Sequence, residues 1–104
     1  MIIYNTTYHA GINVEKQFIE WLKTEYIPKA VAGGELSLPQ LTCIMSDNRE
    51  TEGKSFALQF HAPSVDVLEI WYRRTGAALL AEMRKIFNEE VVGFSTLMEK
   101  LELE

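Results

Sequence analysis

The chain has 104 residues, of which 47% are hydrophobic and 24% are charged, and its formal net charge is −5 with a pI of about 5.0. This composition is ordinary for a soluble globular protein, and we expect a single domain over residues 1–104. The acidic balance argues against nucleic acid as a partner, because proteins that bind nucleic acid usually cluster Lys and Arg.

The sequence gives no indication of a membrane or export signal. No apolar run approaches the ~20 residues that a membrane-spanning helix needs. The basic start and long apolar stretch of a signal peptide are also missing, because Asn5 and two threonines follow only two isoleucines and a tyrosine. Together with a single cysteine, these features predict a cytoplasmic protein that has no membrane partner.

Cys43 is the single cysteine, so it cannot form an internal disulfide. It stands between Thr42 and Ile44 in a predicted strand, with no neighbouring His, Lys or Arg in the sequence, and we expect a buried inert thiol. The chain has no paired-cysteine motif, no HExxH helix and no glycine-rich phosphate or dinucleotide motif. The sequence therefore predicts neither a metal nor a cofactor.

The first predicted elements are a strand and the start of a helix. Residues 2–9 are rich in the β-branched and aromatic types that favour strands. Gly11 ends this strand, and Asn13 is a candidate helix N-cap. Glu15 then lies in the first turn, where a carboxylate faces the positive end of the helix.

The first helix is predicted from the spacing of its apolar residues. Over residues 14–27 they recur at intervals of three and four, which is typical of an amphipathic helix. Pro28 has no amide donor, so we expect it to end or kink the helix near Ile27. The glycines and the proline of residues 30–40 indicate a loop.

Two predicted strands follow this loop. Residues 40–46 predict the second strand. Residues 54–62 predict the third, because Phe56, Leu58 and Phe60 alternate there with small or polar side chains at a period of two. The polar segment between the two strands, residues 47–53, indicates a turn.

A second helix and a final strand complete the chain. The helix is predicted from about Val65 to Phe87, with Ser64 as its N-cap and a break or kink at 75–76. Residues 91–101 predict the last strand. The order β-α-β-β-α-β predicts a ferredoxin-like α+β sandwich, in which one four-stranded antiparallel sheet carries two helices on one face.

The predicted strands carry no charge. Residues 2–9, 40–46, 55–62 and 91–98 contain no Asp, Glu, Lys or Arg. An antiparallel sheet with one face in water normally alternates apolar with polar or charged side chains, and a large apolar open face is rare in soluble monomers. We therefore expect a homodimer whose two sheets pack face to face around a two-fold axis, which is a dimeric α/β barrel.

Uncharged polar side chains on these strands predict a ligand site. One face of the first strand carries Asn5, Thr7 and His9, although the sequence does not decide whether this face meets the helices. On the open face, such residues would line a small neutral cavity that can hold a small molecule or ordered water, whereas buried amides and threonines more often satisfy each other. The candidate ligand-binding residues are Asn5, Thr7, His9, Gln59, His61 and Ser95.

His9 and His61 are the two histidines of the chain. In the predicted fold they lie at opposite ends of neighbouring antiparallel strands, ~20–25 Å apart at ~3.4 Å per residue. We therefore expect that they do not act as a pair within one chain.

Four short segments resemble a known family. They are I-Y-N-T-T at 3–7, W-L-K-T-E-Y-I-P at 21–28, S-F-A-L-Q-F at 55–60 and G-F-S-T-L at 93–97. They resemble a small bacterial family described as a domain of unknown function (four-two-eight-six in words). The resemblance spans nearly the whole chain and implies a ferredoxin-like fold, but it implies no activity.

The predicted architecture is similar to that of dimeric α/β barrel proteins, but fold does not carry function, and three functions stay open. The first is a small-molecule binding or sensing protein, favoured by the uncharged polar group named above. The second is a cofactor-independent oxygenase or isomerase in which His9, His61 or Tyr4 acts as base or hydrogen-bond donor. The third is an interaction module whose last strand runs on to Leu103 and joins a partner's sheet edge. The sequence does not decide whether the protein is an enzyme.

Overall fold

The computed structural model describes residues 1–45 and 53–103. Four strands form one sheet in the order β2-β3-β1-β4, and each neighbouring pair is antiparallel. The strands are β1 (Ile2–Ala10), β2 (Ser37–Cys43), β3 (Lys54–Ala62) and β4 (Val91–Glu99). The turn predicted over 47–53 lies outside the described residues except for its last position.

Two helical spans cover one face of this sheet, and each is built from consecutive segments. The first consists of α1 (Glu15–Trp21), a π-helical segment (Leu22–Tyr26) and α2 (Ile27–Val31). The second consists of α3 (Val65–Trp71), a π-helical segment (Tyr72–Gly76), α4 (Ala77–Phe87) and a 3₁₀ turn (Asn88–Glu90). We call the two π-helical segments the first and second π turns. This arrangement confirms the predicted ferredoxin-like α+β sandwich.

The alternation of burial along the strands identifies the face that meets the helices. On β1 the even-numbered residues Thr6, Tyr8 and Ala10 are buried, and they pair with the buried even-numbered side of β3. The core between sheet and helices contains Phe18, Leu22, Leu58, Phe60, Trp71, Leu79 and Phe87. The odd-numbered residues of β1 and β3 therefore form the open face of the sheet.

Trp71 joins the two helical spans. Its side chain is 1% exposed, and its Nε1 donates a hydrogen bond to the carbonyl oxygen of Ala30 at 2.8 Å. The ring also meets Tyr4 edge-on, with 5.7 Å between ring centroids. It lies directly over Gly76, where a Cβ atom would come within 2.5 Å of the ring. A glycine in the second π turn is therefore what lets Trp71 lie across both spans.

Pro28 was expected to end or kink the first helix near Ile27, and the helix does not end there. The helix continues to Val31, with the proline at the start of α2. The first π turn precedes it, and the amide of Ile27 reaches back five residues to the carbonyl of Leu22. This wider turn displaces the carbonyl that a regular α-helix would press against the proline ring, so the ring is accommodated.

The two predicted N-caps differ in outcome. Asn13 lies in a turn, and Val14 occupies the capping position of α1 without a side-chain hydrogen bond, so that prediction was wrong. Glu15 does lie in the first turn, as expected. The prediction for Ser64 is confirmed, because its Oγ accepts a hydrogen bond from the amide of Val67 at 3.2 Å.

We expect the Ser64→Ala variant to unfold about 1 kcal/mol more easily than the wild type, because the first turn of α3 loses its capping acceptor. Urea titration followed by circular dichroism measures this difference. The Ser64→Asp variant is the matched control, because a carboxylate restores the cap and adds a favourable charge at the helix N-terminus. Equal losses of stability in both variants would show that the hydroxyl does not act as a cap.

The ends of the outer strands differ from prediction. Strand β2 begins at Ser37 rather than at residue 40, and its pairing with β3 is irregular between Ser37 and Gln40, where Leu38 has a φ of 52°. Strand β4 ends at Glu99 and does not reach Leu103. Cys43, expected to be buried, is exposed because it closes an edge strand that the helices do not cover.

Candidate functional site

A cleft of about 1060 Å³ lies between the helical spans and the β4 side of the sheet. Its walls come from β1, β4, both π turns and α4. All four tyrosines of the chain line it: Tyr4, Tyr8, Tyr26 and Tyr72. Thr6 and Ser95 add two aliphatic hydroxyl groups. The volume lies just above the usual range for ligand pockets, which is about 300–1,000 Å³.

The strand and helix geometry explains how the tyrosines converge. Tyr4 and Tyr8 are on the even-numbered side of β1, which faces the helices. Tyr26 is the last residue of the first π turn, and Tyr72 is the first residue of the second. The helical tyrosines thus come from the two irregular turns, a kind of turn that occurs frequently at functional sites.

Hydroxyl groups form a polar strip along the floor of the cleft. The Oγ atoms of Thr6 and Ser95 are 3.0 Å apart and share a hydrogen bond between neighbouring strands. The neighbouring hydroxyls of Tyr26 and Thr6 partly offset the effect of burial on the pKa of Tyr8. The strip therefore runs from the first π turn across β1 to β4.

The phenols at the bottom of the cleft stay neutral at physiological pH. Burial raises the pKa of Tyr8 to about 12. Burial and the nearby Tyr8 also raise the pKa of Tyr26 far above the ordinary value of tyrosine. The deep wall therefore offers uncharged hydrogen-bonding groups among aromatic rings.

Gly93 shapes the cleft wall on β4. A Cβ atom at this position would come within 2.8 Å of the Tyr8 ring and 3.0 Å of the Thr7 carbonyl oxygen. The absence of a side chain lets the Tyr8 ring lie against the β4 backbone. Gly93 thereby allows the Tyr8 ring and the β4 backbone to form one continuous part of the cleft wall.

The charged side chains in the cleft lining lie in the second half of α4 and in the 3₁₀ turn that follows it. They are Arg84, Glu89 and Glu90, which together give a net formal charge of −1. Arg84 makes no ion pair with another described residue, unlike Arg74, which pairs with Glu35. Since the lining has no excess of positive charge, its chemistry favours an uncharged ligand over an anion.

The structure places five of the six predicted site residues on the open face and one in the cleft. Asn5, Thr7 and His9 lie on β1, and Gln59 and His61 lie on β3, all on the side away from the helices. Ser95 lies on the opposite side. The pairing of β4 with β1 sets Thr96 against Asn5 and Ser95 against Thr6, so grouping Ser95 with Asn5 was wrong by one residue in register.

The two histidines are separated as predicted. His9 pairs with Ser55 and His61 with Ile3, so six strand positions, or about 20 Å, lie between them. The Nδ1 atom of His9 is 3.2 Å from the Oγ atom of Ser55. Among residues 1–45 and 53–103, no cluster of three or more His, Cys, Asp or Glu side chains is arranged to hold a metal ion.

Sequence reasoning missed most of the cleft. Tyr8, Tyr26 and Thr6 were not singled out as site residues, and Tyr4 was considered only as a possible base or hydrogen-bond donor. One signal was available: Tyr4, Thr6 and Tyr8 alternate with the open-face residues and so share one side of β1. The contribution of Tyr26 depends on the first π turn, which nothing in the sequence pattern indicates.

The fold and this cleft define a ferredoxin-like α+β protein with a pocket between sheet and helices. The chain belongs to the family described as "Domain of unknown function (DUF4286)", whose model matches residues 1–101. No curated protein matches the sequence.

A solved structure shares the fold. It is described as a "putative antibiotic biosynthesis monooxygenase" from Deinococcus radiodurans, with a TM-score of 0.70 and 16% identity over 100% of this chain and 96% of that one. At this identity the similarity concerns the fold alone. In the described part of the present chain, no helix is long and apolar enough to cross a membrane.

Proposed function

We propose that this protein binds a small, uncharged, largely aromatic molecule in the cleft between helices and sheet. The observation that carries the proposal is the convergence of all four tyrosines on one cavity, together with the hydroxyls of Thr6 and Ser95. Aromatic walls favour flat apolar ligands, and a few fixed polar groups set their orientation. Because the deep phenols are neutral, oxygen or nitrogen groups on the ligand suit them better than a charge does.

We propose further that the protein is a homodimer through the open face of the sheet. The chain is a slab of 41 × 34 × 19 Å with an accessible surface of 7032 Å². A globular monomer of 11.9 kDa is expected to expose about 6,000 Å². The excess is close to the ~800 Å² that each partner buries in a standard interface.

Apolar side chains on the open face support the same assembly. Val92 and Phe94 are 57% and 65% exposed there, and Met98 is partly exposed beside them. A second copy would cover them. We also retain the prediction of a cytoplasmic protein, which rests on the single cysteine in the sequence.

A second candidate function is a cofactor-independent oxygenase. The specific observation in its favour is the strip of hydroxyls from Tyr26 through Tyr8 and Thr6 to Ser95, which can pass a proton between a bound substrate and the cleft mouth. The structural neighbour's description as a monooxygenase points the same way. Consumption of oxygen by the protein together with a ligand recovered from it would separate this function from binding alone.

Native mass spectrometry of the protein, purified gently from its own host, tests the proposed binding function first. We expect twice the mass of the chain plus a discrete additional mass. A dimer without added mass would contradict a tightly held ligand. A bare monomer would also contradict the proposed dimer.

We expect the Ser95→Trp variant to lose the binding of an uncharged apolar dye, N-phenyl-1-naphthylamine, at least about 10-fold, because a large ring from β4 fills the cleft. The Ser95 side chain is exposed in the cleft wall, so a larger side chain at this position does not disturb the packed core. Fluorescence titration measures the dissociation constant. Ser95→Ala is the control, since it removes the hydroxyl and leaves the space. Unchanged dye affinity in the Trp variant would place the dye elsewhere.

A further inference from the structure

One row of uncharged polar side chains crosses all four strands on the open face. The pairing of the strands sets Gln40 beside Gln59, Gln59 beside Asn5, and Asn5 beside Thr96. We call these four residues the amide row. Its middle pair, Asn5 and Gln59, stands on the two central strands and is partly buried, whereas its ends are exposed.

The amide row contains an unsatisfied acceptor. The Nδ2 atom of Asn5 donates a hydrogen bond to the Oγ1 atom of Thr7 at 3.3 Å. The Oδ1 atom of the same amide is buried and has no hydrogen-bond partner among the described residues. A buried polar atom without a partner is destabilising, so a donor from outside the chain would be favourable.

The surroundings of the amide row determine what kind of donor fits. Open-face positions on the described strands carry no Asp, Glu, Lys or Arg. A charged or strongly polar partner would therefore lose hydration without gaining an opposite charge. Carboxamide groups are both donors and acceptors, so a surface built from them is complementary to itself.

We propose that the amide row is the element by which two copies of this chain recognise each other. The inference rests on the proposed homodimer and names the contacts that fix its register. Around a two-fold axis the same patch meets itself, and amides of one copy donate to amides of the other. The apolar side chains at 92, 94 and 98 then supply buried area, while the amides select one alignment of the sheets.

Charge variants of Gln59 test this inference, because this residue lies on a central strand next to Asn5. Gln59→Glu and Gln59→Lys each put like charges opposite each other in the dimer. We expect each to raise the dimer dissociation constant by at least about 100-fold. An equimolar mixture of the two variants should form heterodimers, because opposite charges then meet across the axis.

The matched controls are Gln17→Glu and Gln17→Lys, which make the same changes at an exposed position on α1. Sedimentation equilibrium gives the dissociation constants, native mass spectrometry identifies the heterodimer, and circular dichroism shows that each variant is folded. The expected result is loss of assembly for both Gln59 variants alone, recovery on mixing, and wild-type behaviour for both controls.

Other outcomes overturn the inference in distinguishable ways. If the wild type is a monomer, the proposed homodimer fails and the recognition role fails with it. If the wild type is a dimer and the Gln59 variants associate equally well, the homodimer stands and the role of the amide row is refuted. The role is also refuted if the folded variants dissociate but do not recover on mixing, since their side chains then do not face each other.

Discussion

Replacing Trp71 by alanine is expected to lower the free energy of unfolding by about 3–5 kcal/mol, a large share of the stability of a domain of this size. The indole is 1% exposed and is among the largest fully buried side chains. Its removal leaves a cavity beside Tyr4 and Gly76 and deprives the Ala30 carbonyl of its donor. Because the ring contacts both helical spans, the loss is not confined to one of them.

Urea denaturation followed by circular dichroism measures this effect. Trp71→Phe is the informative control, because it keeps much of the ring volume and removes the hydrogen bond. We expect it to lose about half as much stability as the alanine variant, since the packing contribution is the larger one. A loss below about 1 kcal/mol for Trp71→Ala would mean that the two helical spans do not depend on this contact.

The second large effect is a loss of stability in alkali. In the folded protein burial raises the pKa of Tyr8 from 10.0 to about 12. The unfolded chain releases this proton near pH 10, whereas the folded chain retains it, so the free energy of unfolding falls as the pH rises from about 10 to 12. A difference of about two pKa units corresponds to about 3 kcal/mol. Tyr26, whose pKa burial also raises, adds to the loss.

Urea denaturation at a series of pH values between 8 and 12 tests this prediction. The Tyr8→Phe variant should show a shallower decline than the wild type, because phenylalanine has no proton to lose. Comparison with this variant also removes the contribution of lysines, which ionise in the same range and are common to both proteins. Parallel curves for the two proteins would contradict the assignment of the alkaline instability to Tyr8.

The sequence was sufficient for the parts of the fold that depend on local periodicity. Strand β3 was predicted with its observed ends, because apolar residues alternate strictly from Phe56 to Phe60 and Pro63 follows. The second helical span was predicted from residues 65 to 87, with Ser64 as its cap. The outer ends of β2 and β4 could not be placed, since an edge strand has a neighbour on only one side to fix its length.

The candidate site was harder to predict for a different reason. Periodicity places residues on two faces of a strand, but it does not say which face the helices cover. Asn5 and Thr7 drew attention because uncharged polar residues are unusual on an open face, while Tyr8 is ordinary in a core. Only the packed arrangement shows that Tyr8 also borders a cavity. It also shows that Ser95 points into this cavity, on the opposite side of the sheet from Asn5.

The two π turns have a consequence for how the chain tolerates changes in length. A π turn holds one residue more than an α-helical turn, so it absorbs an insertion without rotating the segments on either side. Deleting one residue within Tyr72–Gly76 would restore a regular helix and keep α4 facing the sheet. A deletion within α4 itself would rotate everything after it by about 100°. The additional residue of the second span therefore bears chiefly on the position of Tyr72 in the cleft, whereas the additional residue of the first span also accommodates the Pro28 ring.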